Sequence, residues 1–543
     1  MARKTKTPKS VESIAHDKSK RTNIPTAEYE SMFEKTKQKQ LKYPRNIDID
    51  PQLMWDGKDE MDWSDLIVHA PPLFIQEKVH PKALIDDLLK YSKESDYDTG
   101  HITADLFSDF NGIPKDADKT EFYTHNQNWS NRMILGDSLN VMASLAEREG
   151  LRGKVQCIYI DPPYGIKFNS NFQWSTTSRN VKDGNVNHIT REPEQVKAYR
   201  DTWRKGIHSY LTYLRDRLTV SRDLLTDSGS IFVQIGDENV HRVRALLDEV
   251  FGEDNFISQI PFRTKTRSLG SQKLEGMLDY ICYYAKDESK LKRRTLYTSK
   301  KLEGDVNWKW VETSTATRRK MTKQERENHA LLPEGSRVFR TVDLRPAGRN
   351  ESARFTFNYQ GKEFPPPGGN SWLTNISGME MLAKADRLVQ TGSTLERIYY
   401  QDDYSITPQT NLWGGTRGAI NKKYVVQTNK EIVKRCILMS TDPGDLVLDP
   451  TCGSGTTATV AEQWGRRWIT TDTSRVALAL ARFRIMGARY PFYLLADSHD
   501  GQLKEAEVTR STPSSGFTNK DINHGFVYER VPHITLKSIA NNA

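Results

Sequence analysis

Leu446-Val447-Leu448-Asp449-Pro450-Thr451-Cys452-Gly453-Ser454-Gly455-Thr456-Thr457 reads as a short buried strand, a glycine turn and the start of a helix. Such a junction brings a ligand against the backbone N–H groups of a helix N-terminus. The third glycine of the dinucleotide fingerprint is missing, and so is the Gly-Lys-Ser/Thr of a phosphate loop, so the turn suits neither a nicotinamide cofactor nor a nucleoside triphosphate. A second run, Trp468-Ile469-Thr470-Thr471, reads as the next strand and ends at Asp472. That is about 20 residues past Asp449, the distance expected of a ribose-binding acid.

Far upstream, Val155-Gln156-Cys157-Ile158-Tyr159-Ile160 is another short apolar run, and it delivers Asp161-Pro162-Pro163-Tyr164. A carboxylate, two rigid prolines and an aromatic ring suit a planar ring that bears an exocyclic amine. The Asp161 carboxylate and the Pro162 carbonyl can accept the amine's hydrogens, and Tyr164 can stack on the ring. Between about 130 and 260, strand and helix patterns alternate. Met133-Ile134-Leu135 and Ser230–Ile235 read as strands, with helices at about 206–225 and 238–250. Alternation of this kind predicts a mostly parallel sheet with helices on both faces, and it places Asp161 and Asp449 at the carboxyl ends of neighbouring strands.

The 543 residues predict more than one domain, and the formal net charge of +9 makes an anionic partner plausible. No apolar run approaches a membrane span, and the N-terminus lacks an apolar signal core. Cys157, Cys282, Cys436 and Cys452 are scattered without a metal spacing, and the 12 histidines show none. The expectation is a reduced, cytoplasmic protein with no metal and no membrane association.

Asp-Pro-Pro-Tyr followed by Asp-Pro-x-x-Gly-Ser-Gly-Thr-Thr resembles the amino-group DNA methyltransferases. The order, catalytic motif first and cofactor loop second, resembles the permuted β-class, and above all the modification subunits of type III restriction systems. Leu135–Leu139, Gly229–Ile235, Val250–Ile257 and Asp279–Lys286 also fit. The resemblance covers roughly residues 130–290 and 410–490. It implies a circularly permuted Rossmann-like methyltransferase fold that uses S-adenosylmethionine. Transfer to adenine N6 in double-stranded DNA is implied, with cytosine N4 the nearest rival; Ser usually replaces Asp in that motif, so Asp161 favours adenine. A reading from another class is a DNA-recognition subunit that directs a partner nuclease-helicase. The chain itself has no phosphate loop or evident nuclease motif, and relatives often dimerise.

The implied catalytic residues are Asp161, Pro162, Pro163 and Tyr164. The implied cofactor residues are Asp449, Pro450, Thr451, Cys452, Gly453, Ser454, Gly455, Thr456, Thr457 and Asp472. Asp137 of Gly136-Asp137 is a further cofactor candidate or a helix cap, and Gln427-Thr428-x-Lys430 resembles an element that helps hold the cofactor.

The expected organisation is a basic disordered tail (1–22), an N-terminal extension (23–128) with a helical turn at Ala83–Leu89, a catalytic half (129–290), a target recognition domain (291–410), a cofactor half (411–500) and a C-terminal extension (501–543). Within 291–410, Arg318-Arg319-Lys320 reads as part of a polar helix and Phe355–Tyr359 as a strand ended by Gly361. Arginines 337, 340, 345, 349 and 354 interleave with aromatics, a pattern suited to contact with a DNA groove or backbone.

Overall fold

A computed structural model describes residues 53–58, 66, 68, 70, 73, 75–79, 129–164, 206–264, 274, 276–300, 302–348, 350–414, 428–513 and 516–542. All of these belong to one unit running from Leu53 to Ala543. The expected tail, the turn at Ala83–Leu89, Arg349 and Gln427 lie outside the described residues.

The strand–helix alternation appears where the sequence puts it. In chain order come β1 (Ile75–Val79), β2 (Asn131–Leu135), α1 (Ser138–Glu147), β3 (Val155–Ile160), α2 (Ile207–Leu224), β4 (Leu225–Gly236), α3 (Val240–Phe251), β5 (Phe256–Arg263) and β6 (Leu278–Ala285). Much later in the chain come α5 (Lys430–Ser440), β16 (Leu446–Asp449), α6 (Thr456–Gln463), β17 (Arg467–Asp472), α7 (Arg475–Met486) and α8 (His499–Thr509).

These strands make one eight-stranded sheet in the order β1-β2-β17-β16-β3-β4-β6-β5. The five strands from β2 to β4 run parallel, whereas β1 and β6 run antiparallel to their neighbours. The late strands β16 and β17 therefore sit in the middle of the sheet, between β2 and β3. The fold is α/β and Rossmann-like, and the carboxyl ends of β2, β17, β16, β3 and β4 open along a single edge.

Every residue of β3 is buried, which is why the strand reads as a continuous apolar run. Its side chains alternate between two cores. Ile158 and Ile160 join Ile134, Val233 and Leu448 against α1, α2 and α3. Cys157 and Tyr159 join Met133, Phe232 and Val447 against α5, α6 and α7. In α2, Leu211, Leu214 and Leu218 recur at helical spacing and all face the first core. Leu218 has no exposed surface. Leu218→Ala is expected to lower unfolding free energy by about 3 kcal/mol, the lost transfer energy plus a cavity, as read by chemical denaturation.

Residues 297–408 build a second set of strands: β7 (Tyr297–Ser299), β8 (Trp310–Glu312), β9 (Arg318–Lys320), β10 (Arg337–Asp343), β11 (Phe357–Tyr359), β12 (Lys362–Phe364), α4 (Ile376–Lys384), β13 (Leu388–Thr391), β14 (Thr394–Tyr400) and β15 (Ile406–Pro408). Five of these strands form an antiparallel sheet in the order β13-β14-β10-β8-β9. The strand expected near Phe355–Tyr359 is present and turns back through Gln360 and Gly361, both at positive φ, into β12.

The helix expected at Arg318-Arg319-Lys320 is instead the edge strand β9, paired with β8. Arg318 is fixed there by Glu312 at 2.6 Å and by Asp386 at 2.6 Å. The helix begins only at Lys323, where the Thr322 hydroxyl and the Glu325 carboxylate form a capping box. Arginine and lysine favour a helix on their own, and pairing with β8 overrides that preference.

Candidate active site

Asp161 follows β3 directly and Asp449 ends β16, so the two fall at neighbouring strand ends as expected. One threonine ties them together. The Asp161 N–H donates to Thr451 Oγ1 at 2.8 Å, and the Thr451 N–H and hydroxyl reach Asp449 Oδ1 at 2.9 and 3.3 Å. The glycine turn is held from the next strand: the Gly453 N–H donates to Asp472 Oδ2 and the Ser474 N–H to Asp472 Oδ1, both at 2.8 Å. The Cys452 N–H donates to the Thr471 carbonyl. Below the turn, the Arg484 guanidinium of α7 bonds Ser454 Oγ and Thr456 Oγ1 at 3.1 and 2.8 Å. Gly455 caps α6 in the left-handed region, with φ of 71°.

The Asp161–Tyr164 motif is held by a hydrogen-bonded chain that local sequence patterns do not reveal. Thr428, just before α5, donates its hydroxyl to Asp161 Oδ2 at 2.9 Å. Gln234 of β4 donates to Thr428 Oγ1 at 3.0 Å and to the Tyr164 hydroxyl oxygen at 2.6 Å, while its Oε1 accepts the Tyr159 hydroxyl at 2.6 Å. The Tyr164 hydroxyl donates to Asp279 Oδ2 at 3.1 Å, and Asn239 Nδ2 holds the Tyr164 carbonyl at 2.7 Å. The tyrosine ring lies against Gly236, where an added Cβ would stand 2.9 Å from Tyr164 Cδ2. Gln234, Gly236, Asn239 and Asp279 thus fix Tyr164. In the sequence, Gln234 and Asp279 fall in the stretches Gly229–Ile235 and Asp279–Lys286 that fit the resemblance, but nothing there signals this role.

Part of the Asp161 surface opens into the cleft, but its carboxyl lies deep among protein atoms. Burial pushes its pKa up to about 7, against the Thr428 hydrogen bond, and the charges of Asp449 and Asp279 add to the rise. Burial likewise raises Asp449 and Asp472 to about 6, although both accept hydrogen bonds that favour the ionised form. Among the described residues no ion pair involves any of these three carboxylates. These three acids thus gather at neighbouring strand ends with no cation paired to them among the described residues. Thr428→Val removes the one side-chain bond that holds Asp161 ionised. The acid limb of the kcat/KM–pH profile is expected to move to higher pH, and an unmoved limb would show that the bond does not act on Asp161.

Asp137 stands at the end of β2 as the N-cap of α1, its Oδ1 accepting from the Leu139 N–H at 3.0 Å. Its Oδ2 is paired with Arg217 at 2.5 Å, and Arg217 also bonds Ser138 Oγ and lies 3.5 Å from the Tyr213 ring centroid. Pro162, next to Asp161, is buried. The structure therefore brings Asp161–Tyr164, Asp449–Thr457, Asp472 and Thr428 to one edge of the sheet, with Thr428 bonded to the Asp161 carboxylate.

A family model described as DNA methylase matches residues 155–483, from the strand carrying Asp161 to the helix beyond Asp472. The chain belongs to this DNA methylase family. It is similar to the type II methyltransferase M.EcaI of Enterobacter cloacae, 29% identical over 62% of this chain and 66% of that protein. It is also similar to the EcoPI Mod subunit, a type III restriction-modification enzyme of Escherichia phage P1, 25% identical over 71% of this chain and 63% of the relative. The HindVI Mod subunit of Haemophilus influenzae, described as a probable type III enzyme, is 24% identical over 62% of this chain and 48% of the relative. The chain spans between about half and two thirds of the length of these curated relatives. Among solved structures it is similar to the DNA modification methylase TTHA0409 of Thermus thermophilus, with a TM-score of 0.30 and 15% identity over 65% of this chain and 92% of that one.

Proposed function

We propose that this DNA methylase transfers a methyl group from S-adenosylmethionine to the N6 amine of an adenine in double-stranded DNA, at a specific sequence and within a restriction-modification system. The single observation that carries the reading is the Asp161–Thr451–Asp449 link, which puts an amine-binding motif and a cation-binding glycine turn side by side. The cofactor supplies an electrophilic methyl group on a sulfonium. Its positive charge suits the crevice of Asp161, Asp449 and Asp472, and its adenosine and methionine parts suit the turn Pro450–Thr457 and the end of β17. Asp137 and Gln427 are further candidates for holding it.

The chain's own work is orientation and proton handling. An amine conjugated to a purine is a weak nucleophile. Asp161 and the Pro162 carbonyl accept hydrogen bonds from its two N–H groups and favour a tetrahedral nitrogen, so that the lone pair points toward the crevice. With the methyl donor bound, transfer would join its methyl carbon to the nitrogen and leave a neutral thioether, and Asp161 would receive the proton that the nitrogen gives up. Tyr164, fixed by Gln234, Asp279 and Asn239, offers its ring to a base that must leave the duplex to arrive. The sheet order, with β17 and β16 between β2 and β3, supports a permuted chain. Residues 291–410 then stand between the two halves as the target recognition segment. The likeness to Mod subunits supports association with a nuclease-helicase subunit, and a homodimer is the expected oligomer.

The test is transfer of labelled methyl from S-adenosylmethionine to plasmid DNA, followed by base analysis. N6-methyladenine is expected. N4-methylcytosine would overturn the base assignment, and cofactor binding without transfer by the protein alone would favour a recognition subunit.

A further inference from the structure

Outside the active site, the second sheet carries an unusual set of cations. Arg340 on β10 and Tyr399 on β14 are direct cross-strand partners, and Arg397 pairs with Val342, two residues along. Arg340, Tyr399 and Arg397 therefore share one face of the sheet. The Arg340 guanidinium lies 5.5 Å from the Trp308 ring and 5.3 Å from that of Tyr399, and Arg397 lies 5.3 Å from Tyr399. Lys300 reaches the same place, its Nζ 5.8 Å from the Tyr399 ring and bonded to the Tyr404 carbonyl at 2.6 Å. Lys300, Arg340, Trp308 and Tyr399 line an open cavity of about 310 Å³, and Asp305 is the one carboxylate on its wall.

Neighbouring arginines are neutralised. Arg318 meets Glu312 at 2.6 Å, Arg337 meets Asp402 at 3.1 Å and Arg387 meets Asp403 at 2.6 Å. Among the described residues, Lys300, Arg340 and Arg397 have no ion pair. The Nε atoms of Arg340 and Arg397 are buried without a hydrogen-bond partner. Burial and the charge of Arg340 both depress the Lys300 ammonium. Burial also depresses Arg397; Asp403, already held by Arg387, opposes this, and the charges of Arg387 and Arg340 add to it. The aromatic faces offset part of the repulsion between these like charges, and an oxyanion that accepts the leftover donors would offset more.

We propose that Lys300 and Arg340 form a phosphate-holding pocket, with Arg397 adding positive charge beside Tyr399, that grips one phosphodiester of the DNA backbone and so registers the duplex on the second sheet. This rests on DNA being the substrate. Asp305 narrows the choice of ligand, because it would repel a highly charged free anion more than a singly charged diester.

The test is the salt dependence of duplex binding by the full chain, followed by fluorescence anisotropy without cofactor. Arg340→Gln with Arg397→Gln is expected to weaken binding roughly tenfold at moderate salt and to reduce the slope of log K against log salt by about one. Arg340→Lys with Arg397→Lys keeps the charge and should keep the slope. An unchanged slope in the glutamine variant would overturn the pocket, as would an equal loss in the lysine variant, which would mark a packing role. Inorganic phosphate that raises the melting temperature of wild type, with no change of DNA slope in the glutamine variant, would assign the pocket to a free anion and also overturn the proposal. Wild type that shows no salt-dependent DNA binding would remove the DNA reading itself, separately from any variant.

Discussion

Asp161→Asn is expected to reduce the rate of methyl transfer by about a thousandfold, within the range that a positioned proton acceptor contributes. Asparagine keeps the shape of the side chain and still offers an oxygen to the Thr428 hydroxyl, so the chain through Gln234 and Tyr164 has no reason to collapse. What it loses is the negative charge and the ability to take a proton. The effect should fall on the rate at saturating DNA rather than on duplex affinity, as single-turnover measurement can show. The pH profile gives a second reading of the same group. Asp161 must be ionised to act, and its pKa stands at about 7. Wild-type activity should therefore fall toward tenfold per pH unit below neutrality and level off above it, whereas the residual activity of the asparagine variant should lack that limb. A variant within tenfold of wild type would take Asp161 out of the chemistry.

Gly455→Ala should disable the cofactor turn. At φ of 71°, a Cβ would stand 2.7 Å from the Cβ of Ala481 and 3.2 Å from its Cα. The positive φ costs a non-glycine residue about 1 kcal/mol, and overpacking adds about 1–3 kcal/mol. Relief can come only by moving the turn away from α7. That would disturb the Arg484 bonds to Ser454 and Thr456 and lift the N-terminus of α6 from its place beside Asp449. The expected result is a fall in melting temperature and a loss of cofactor affinity of at least roughly thirtyfold, the binding equivalent of about 2 kcal/mol. Adding Ala481→Gly should recover part of both. Unchanged melting and titration curves for the single variant would refute the close-packing argument.

Much of this site can be read directly from sequence because its parts are local. A strand that ends in Asp161-Pro162-Pro163-Tyr164, and another that ends in Asp449 with Gly453 and Gly455 after it, carry their geometry within a dozen residues. Their adjacency follows from the rule that parallel sheets gather ligands at strand ends. The supports of the site cannot be read this way. Gln234, Asp279 and Thr428 reach Tyr164 and Asp161 only because β4, β6 and the segment before α5 come together in three dimensions. The pairing of Asp137 with Arg217 likewise joins two distant helices, and only its capping half is local. The strand at Arg318–Lys320 reads as helix in the sequence because three charged residues next to a capping box look like the helix that the box actually begins.

The three lone carboxylates carry a consequence for turnover. Carboxylates that meet no counter-charge among the described residues would grip a ligand best while that ligand is a cation. Methyl transfer turns the sulfonium into a neutral thioether, so the attraction weakens in the same event that completes the reaction, and release of the spent ligand is favoured by the chemistry itself. Calorimetry should find the methyl donor bound more tightly than its demethylated product, with the gap widening between pH 5 and 8 as Asp449, Asp472 and Asp161 ionise through about 6, 6 and 7.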